Sequence, residues 1–459
     1  MALQNLGLEW CLEGIDAVPV RGYCVVEDGK SVHIPYPGKH EGRSFHHGRF
    51  IMKLREAAKK AKGVEVIEGT VTELVTRDYS GKIVGVHVSQ KTGGEETKTT
   101  MYADVVIVAD GCFSNFRSFI MDSAAAKPET KSHFIGAILE DARLPIPNHG
   151  TVALIKGFGP VLLYQISEHD TRILVDLKQP LPSDPKAVIL DEILPQLPSS
   201  LHLPIQTALE KDRLRRMPNS FLPPIEQGTN NTKEGAILIG DSWNMRHPLT
   251  GGGMTVAFND VVVLRDLLGS VDDLKDWDKV KKALHRWHWG RKPLASTVNI
   301  LSVALYDLFG ADDFELQVLR TGCFKYFERG GECVNGPVSL LSGIAPSPSL
   351  LAYHFFSVAF YSIWVMFTYP ALLSSSSGDK PVYATPSVLD YPYLLIRAIR
   401  VFWTACVVFG PLLWTEVRWW AANETSKRNH FVASVVIPLA LLYLATTFGL
   451  PSLGLLGVH

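Results

Sequence analysis

Apolar positions recur at helical spacing from Gly48 to Lys62, where Ile51, Leu54, Ala58 and Ala61 fall on one face and Gly63 supplies a stop. The period then shortens to two. The segments at 64–69 (VEVIEG), 71–76 (VTELVT) and 83–89 (IVGVHVS) read as strands, with turns at Tyr79 to Lys82 and at Thr92 to Gly94. Ala103 to Ala109 is a continuous apolar run, the pattern of a strand covered on both faces, and it ends in Asp110-Gly111. Helix, strand, meander and buried strand together predict an α/β unit. From Phe134 to Leu177 the pattern is that of antiparallel strands in a second layer, and Leu201 to Pro224 reads as a proline-interrupted connection. Gly235 to Leu268 then sets a buried strand (AILI), a Gly240-Asp241 turn, the loop Gly251-Gly252-Gly253 and a helix from Met254 onward.

The last part of the chain follows a different rule. From Leu351 to His459 there are 10 charged residues in 109, against 81 in the first 350. Leu351 to Tyr369 and Phe431 to Val458 carry none, and each is long enough to cross the hydrocarbon core of a bilayer. Val401 to Thr415 is shorter and lies between Arg397 and Arg400 on one side and Glu416 and Arg418 on the other. Trp403, Trp414, Trp419 and Trp420 stand near its ends, a membrane-interface pattern. Pro370, Pro438 and Pro451 interrupt these segments, so spanning, re-entrant and monotopic insertion are all compatible with the sequence. The expected partner is the lipid bilayer.

Charge narrows the remaining classes. With 45 Lys and Arg against 46 Asp and Glu the net charge is -1, which supplies no field for nucleic acid. The six cysteines form no C-x-x-C pair, so neither a zinc site nor a disulfide framework is expected. His285 and His288 have i, i+3 spacing without a suitably placed carboxylate, and no metal site is expected there. G-x-S-x-G and H-E-x-x-H are absent, which removes the common hydrolase readings.

The strand, acid, glycine loop and helix of 235–268 suit a flavin, against the plainer reading of a structural strand-to-helix turn. Asp241 can accept hydrogen bonds from ribityl or ribose hydroxyls, and glycines at 251 to 253 let backbone N–H groups approach a ring. The helix that follows points its positive end at the same place. Asp110-Gly111, at the carboxyl end of a second apolar strand, sits where open α/β sheets bind ligands.

At GDSWNMRHPLTGGGMTVAFND (240–260) the sequence resembles the squalene epoxidase family, of fungal type, within the FAD-dependent monooxygenases. IPYP (34–37), GRSFHHGRFIMKLREAA (from 42), VADGCFSNFR (from 108), LLYQIS (from 162), MPNSFLPP (from 217) and GGECVNGPVSLLSGIAPSP (from 330) support this. The resemblance covers residues 1 to 370 and implies FAD as cofactor, O2 as oxidant and squalene as substrate, with (S)-2,3-epoxysqualene as product in ergosterol synthesis. It implies electrons from NADPH through a separate NADPH-cytochrome P-450 reductase, and an endoplasmic reticulum membrane location with the body facing the cytosol. Asp241, Gly251, Gly252, Gly253 and Met254 correspond to flavin contacts, as do Asp110 and Gly111. Arg55 resembles a cofactor contact, Val71 the backbone partner of the adenine, and Tyr23 the tyrosine lining the substrate pocket. No catalytic side chain is implied, because the flavin carries the chemistry.

The implied fold class is α/β: an FAD/NAD(P)-binding Rossmann-like fold, truncated at its N-terminus, with a β-sheet substrate domain and a C-terminal helical membrane region. The expected divisions are 1–130 for the remainder of the FAD-binding domain, 131–230 for the substrate sheet and 231–270 for the flavin segment. A helical segment at 271–350 and membrane helices at 351–459 complete them. The family's opening G-x-G-x-x-G unit is absent, so Met1 is expected to be an internal methionine and stand-alone FAD binding to be weak. The alternatives are a non-catalytic, membrane-bound squalene-binding paralogue and an FAD-dependent hydroxylase of another lipid.

Overall fold

A computed structural model describes residues 1–417 apart from 93–94, 122–126, 311–312, 370 and 375–381. The apolar segment from Phe431 to Val458, Trp419, Trp420 and the Gly93-Gly94 turn lie outside the described residues. Strands β1 (Gly22–Glu27) and β2 (Lys30–Pro35) form a hairpin across Asp28-Gly29, both at positive φ, as a tight two-residue turn requires. Helix α1 (His47–Lys60) follows, then an antiparallel meander of β3 (Thr70–Thr76), β4 (Ile83–Thr92) and β5 (Glu95–Tyr102). Next come β6 (Val106–Val108), β7 (Glu129–Glu140), β8 (Gly150–Ala153), β9 (Val161–Gln165) and β10 (Asp170–Lys178). Helix α2 (His202–Glu210), β11 (Arg215–Phe221), β12 (Ala236–Leu238) and helix α3 (Gly253–Leu268) lead into the helical half. That half comprises α4 (Trp277–Phe309), α5 (Phe314–Glu328), α6 (Glu332–Leu341), α7 (Pro348–Thr368) and α8 (Tyr391–Val417).

The central feature is a seven-stranded sheet in the order β11-β7-β10-β9-β8-β1-β2. Along β10 the two-residue period feeds two layers. Ile173, Val175 and Leu177 enter one core with α2, while Leu174 enters the other with α4 to α6. The expected division at residue 130 cuts this sheet, because β1 pairs in parallel with β8 (Tyr23 with Gly150, Val25 with Val152). A parallel partner more than a hundred residues away leaves no local signal.

Other expectations need correction. The inward side of α1 is Phe50, Leu54 and Ala57, packed with Cys11 and Ile15, whereas Ala58 and Ala61 are exposed. A single aromatic outweighs two alanines in buried area. Residues 64–69 form no strand, and Val64, Val66 and Ile67 are exposed, because no strand among the described residues pairs with them. The run at 103–109 contracts to β6, of which only Val108 is buried. Leu201 to Pro224 contains α2 and β11 instead of a bare connection. The apolar segment at 401–415 belongs to a helix of 27 residues that starts at Tyr391.

Helices α5 and α6 both cross α7 at a glycine. A Cβ on Gly322 would overlap Ser362, and one on Gly336 would overlap the His354 ring, whose Nδ1 lies 3.0 Å from the Tyr326 hydroxyl. Helices α7 and α8 are long and apolar enough to cross a membrane. Tyr353, Phe360 and Trp364 on α7, and Leu395, Ile399 and Val407 on α8, leave an apolar face exposed.

Candidate functional site

Strands β6 and β12 pair in parallel, Val106 with Ala236 and Val108 with Leu238, so both acidic turns leave the same end of the pair side by side. Ser242 Oγ, with one hydrogen to share, lies 3.0 Å from Val108 O and 2.7 Å from Ile239 O, tying one turn to the other strand. Arg117, 5% exposed, fastens both turns. Its Nε donates to Ser242 O at 2.6 Å, and Nη2 donates to Asp241 O at 2.9 Å, Cys112 O at 2.9 Å and Gly111 O at 3.2 Å. Burial pulls the Arg117 pKa down, and nearby Asp110, Cys112 and Asp241 oppose that pull.

With the carbonyls held from behind, the Asp241 carboxylate is exposed at the turn. Surrounding protein raises its pKa above the ordinary carboxylate value, while Arg246 and Arg117 work against the rise. Asp110, also exposed, accepts from Asn115 N at 3.0 Å and closes its own turn. Gly111 at φ 83° and Gly240 at φ 63° take the left-handed conformation, with open space where a Cβ would stand.

The glycine loop combines two roles. Gly251 (φ 64°) and Gly253 have open space at the Cβ position, whereas a Cβ on Gly252 would meet Val298 Cγ1 of α4 at 2.8 Å. Gly252 is therefore needed for packing and its neighbours for access. Helix α3 starts at Gly253 without a side-chain cap, so its first N–H groups remain available to a ligand, and Met254 stands 41% exposed beside them. Open glycine positions, an uncapped helix start and an exposed carboxylate fit the ribityl and ring portions of FAD. Arg55 stands on the exposed side of α1, with no hydrogen bond or ion pair to the acidic turns among the described residues. Val71 pairs with Val88 in the meander.

Tyr23 reaches the glycine loop from the sheet. Its hydroxyl donates to Thr250 O at 3.3 Å, and its ring meets Tyr36 edge-on at 5.6 Å. Burial, and then Tyr36, raises the Tyr23 pKa well above the ordinary phenol value, so the proton stays on the hydroxyl. Around the two rings runs an apolar cluster containing Phe134, Leu162, Leu249, Phe324 and Phe327, which continues to Val358 and Tyr361 on α7. His247, just before this loop, is fixed between Asp176 (Nε2 to Oδ1, 3.4 Å) and Leu249 N, which donates to Nδ1 at 3.2 Å.

Sequence reasoning missed Arg117, Tyr36 and Asp176. Arg117 left one usable sign: a cation inside an otherwise apolar and hydroxylated stretch, CFSNFRSFI, directly after an acidic turn. The expectation that no carboxylate attends His285 is corrected, since Glu226 Oε1 lies 2.6 Å from its Nδ1. His288 instead is buried, with neither ring nitrogen bonded among the described residues. An open cleft of about 600 Å³ beside His285 is lined by Glu226 to Thr229, Lys281, Lys282 and Arg286, and by none of the residues expected to hold cofactor or substrate.

The family model for squalene epoxidase matches residues 102–377. Squalene epoxidase of Aspergillus fumigatus is 44% identical over 432 residues, covering 90% of this chain and 83% of that one. The chain belongs to the squalene epoxidase family. Squalene monooxygenase of Mus musculus is 40% identical, over 91% of this chain and 69% of its own length. Among solved structures, Klebsiella pneumoniae HpxO complexed with FAD and uric acid aligns with a TM-score of 0.55 at 16% identity, covering 76% of this chain and 86% of that one. The flavin-dependent brominase Bmp2 aligns with a TM-score of 0.54 at 16% identity, over 78% and 86%. At these identities the likeness is one of fold. The fold of this squalene epoxidase family member is thus that of FAD-dependent monooxygenases, with an apolar helical region added.

Proposed function

We propose that the chain is a flavin-dependent squalene monooxygenase of sterol biosynthesis, working at a membrane surface. The observation that carries this reading is the meeting of Tyr23 with Thr250. It sets the apolar cluster directly against the loop whose open glycines face the cofactor space. When bound and reduced, FAD would supply electrophilic oxygen from O2, with NADPH as the source of the electrons that convert the second oxygen atom to water.

The protein's own tasks are to bind, orient and exclude water. Asp241 would accept hydrogen bonds from ribityl hydroxyls, Gly251 and Gly253 would admit the ring edge, Met254 would pack against it, and Asp110-Gly111 would form the second wall. Arg55 and Val71 would contact more distant parts of the cofactor. Tyr23 spends its proton on a backbone carbonyl and presents its ring face to the isoprenoid. A substrate without polar atoms can be placed only by shape and apolar contact, which a cluster of Phe, Leu and Tyr side chains supplies.

The geometry favours embedding over spanning. Arg400 on α8 pairs with Glu315 on α5 at 2.9 Å, and Glu416 near the far end of α8 reaches α4. These anchors are 16 residues apart, roughly 24 Å at 1.5 Å per residue, so most of α8 lies along the body with its outer face free for lipid. Electrons arrive from a separate NADPH-dependent reductase, at the endoplasmic reticulum with the body in the cytosol. The test is the full chain in phospholipid vesicles with FAD, a reductase and squalene. Squalene-dependent NADPH oxidation with bound flavin supports the reading, and flavin-loaded protein that leaves squalene unchanged overturns it.

A further inference from the structure

Glu416 reads in the sequence as a charge flanking a membrane segment, yet it is 3% exposed. It sits in a socket on α4 formed by Lys292, Ser296 and Asn299, whose i, i+4, i+7 spacing places them on one helical face. Its Oε2 accepts from Ser296 Oγ at 2.9 Å and Lys292 Nζ at 3.2 Å, and its Oε1 accepts from Asn299 Nδ2 at 2.7 Å. Lys292 Nζ also donates to the Glu416 carbonyl.

The same stretch of α4 holds both cofactor loops. Asn299 Nδ2 lies 3.1 Å from the Asn244 side-chain amide, and Asn244 N closes the Asp241 turn on Gly240 O at 2.9 Å. Val298 packs under Gly252, and Ser302 Oγ lies 3.3 Å from Thr250 Oγ. Arg291, the residue before Lys292, forms a bidentate pair with Asp260 of α3 at 2.8 and 2.6 Å, stacked over Trp243 at 4.5 Å.

We propose that Glu416 is a positioning residue. By docking the end of the lipid-side helix α8 into α4 at the level of the two loops, it makes membrane seating and cofactor-loop geometry one mechanical unit. Helix α8 is then part of the site's scaffold, not a detachable anchor. Removing it leaves the Lys292 ammonium in a buried position without the carboxylate it faces. The relevance to catalysis rests on the flavin reading above, but the coupling itself does not.

The test compares hydrogen exchange of 240–256 and 404–416 in the full chain, reconstituted in phosphatidylcholine vesicles, for wild type, Glu416→Gln, Glu416→Ala and the pair Lys292→Met with Glu416→Leu. Bound FAD is measured on the same samples. We expect Glu416→Ala to speed exchange in both segments by about tenfold or more at unchanged helical content, and Glu416→Gln to do so less. The apolar pair restores protection in both segments, and FAD retention follows the exchange of 240–256. Faster exchange confined to 404–416, with 240–256 within about twofold of wild type, overturns the proposal. Should Glu416→Ala fail to fold, the same comparison is decided by Glu416→Gln and the apolar pair. Coupled exchange in a wild-type chain that retains no FAD leaves the coupling standing and contradicts the flavin reading.

Discussion

Replacing Arg117 with Met keeps the length and apolar stem of the side chain and removes the clamp on the two acidic turns. Four carbonyls approach the guanidinium, but Nε has one hydrogen and Nη2 two, so three full hydrogen bonds are lost. Bonds to a charged donor contribute about 1.5–3 kcal/mol each. Gly111, Cys112 and Asp241 are at least partly open to water and recover most of that loss, whereas Ser242 is fully buried and its carbonyl is left unpaired. The net destabilisation should therefore be about 3–4 kcal/mol, in the range measured when one partner of a buried charged contact is removed. If cofactor binding must restore the turn geometry, as much as about 3 kcal/mol of this appears as weaker flavin affinity, up to about a hundredfold. Thermal unfolding and an FAD titration in detergent read the two effects separately. Arg117→Lys, whose single nitrogen cannot span both turns, should recover only part of each. An Arg117→Met protein with unfolding within about 1 kcal/mol of wild type and unchanged FAD affinity would refute the clamp.

Asp241→Ala should weaken FAD retention by about 1.5–3 kcal/mol and also cost some stability, because the carboxylate offsets the partly buried Arg246 and buried Arg117 cations; equal flavin occupancy after gel filtration contradicts the cofactor role. Gly336→Ala should destabilise the chain by about 3 kcal/mol or more, since its Cβ overlaps the His354 ring at the α6–α7 crossing, and unchanged thermal unfolding would show that the helices can separate without cost. Burial, with Lys292 and Arg291 adding to it, lowers the His288 pKa to about 3. The unfolded chain therefore takes up a proton below about pH 6.5 that the folded chain refuses, so this contribution is complete above that pH and falls by about 1.4 kcal/mol per unit below it. His288→Phe should flatten the acid limb of stability between about pH 6.5 and 4.5, and parallel limbs for the two proteins would assign the acid loss to other groups.

The parts of the site that were legible in the sequence are those where backbone geometry dictates residue type. Gly251 must take a positive φ, Gly253 must leave room at a helix start, and an acid after a buried strand marks the end of a parallel sheet. The parts that were not legible depend on long-range pairing. Tyr23 could be placed beside Thr250 only by knowing that β1 adds in parallel to β8. Arg117 serves carbonyls on two turns separated by more than a hundred residues, and a carbonyl has no sequence signature. Glu416 misled for a related reason. A charge at the end of an apolar helix looks the same whether it meets headgroups or a socket on a neighbouring helix, and only Lys292, Ser296 and Asn299 on the facing helix distinguish the two cases.

The central claim is that an apolar cluster ending at Tyr23 presents squalene to flavin-activated oxygen. It is tested most directly by supplying isotopically heavy O2 to the full, FAD-loaded chain in vesicles with a reductase, NADPH and squalene, and analysing the product by mass spectrometry. The account predicts a single 2,3-epoxide carrying one heavy oxygen atom, and none when only the water is labelled. A hydroxylated product, an epoxide whose oxygen comes from water, or NADPH consumption yielding only hydrogen peroxide with flavin fully bound would contradict it.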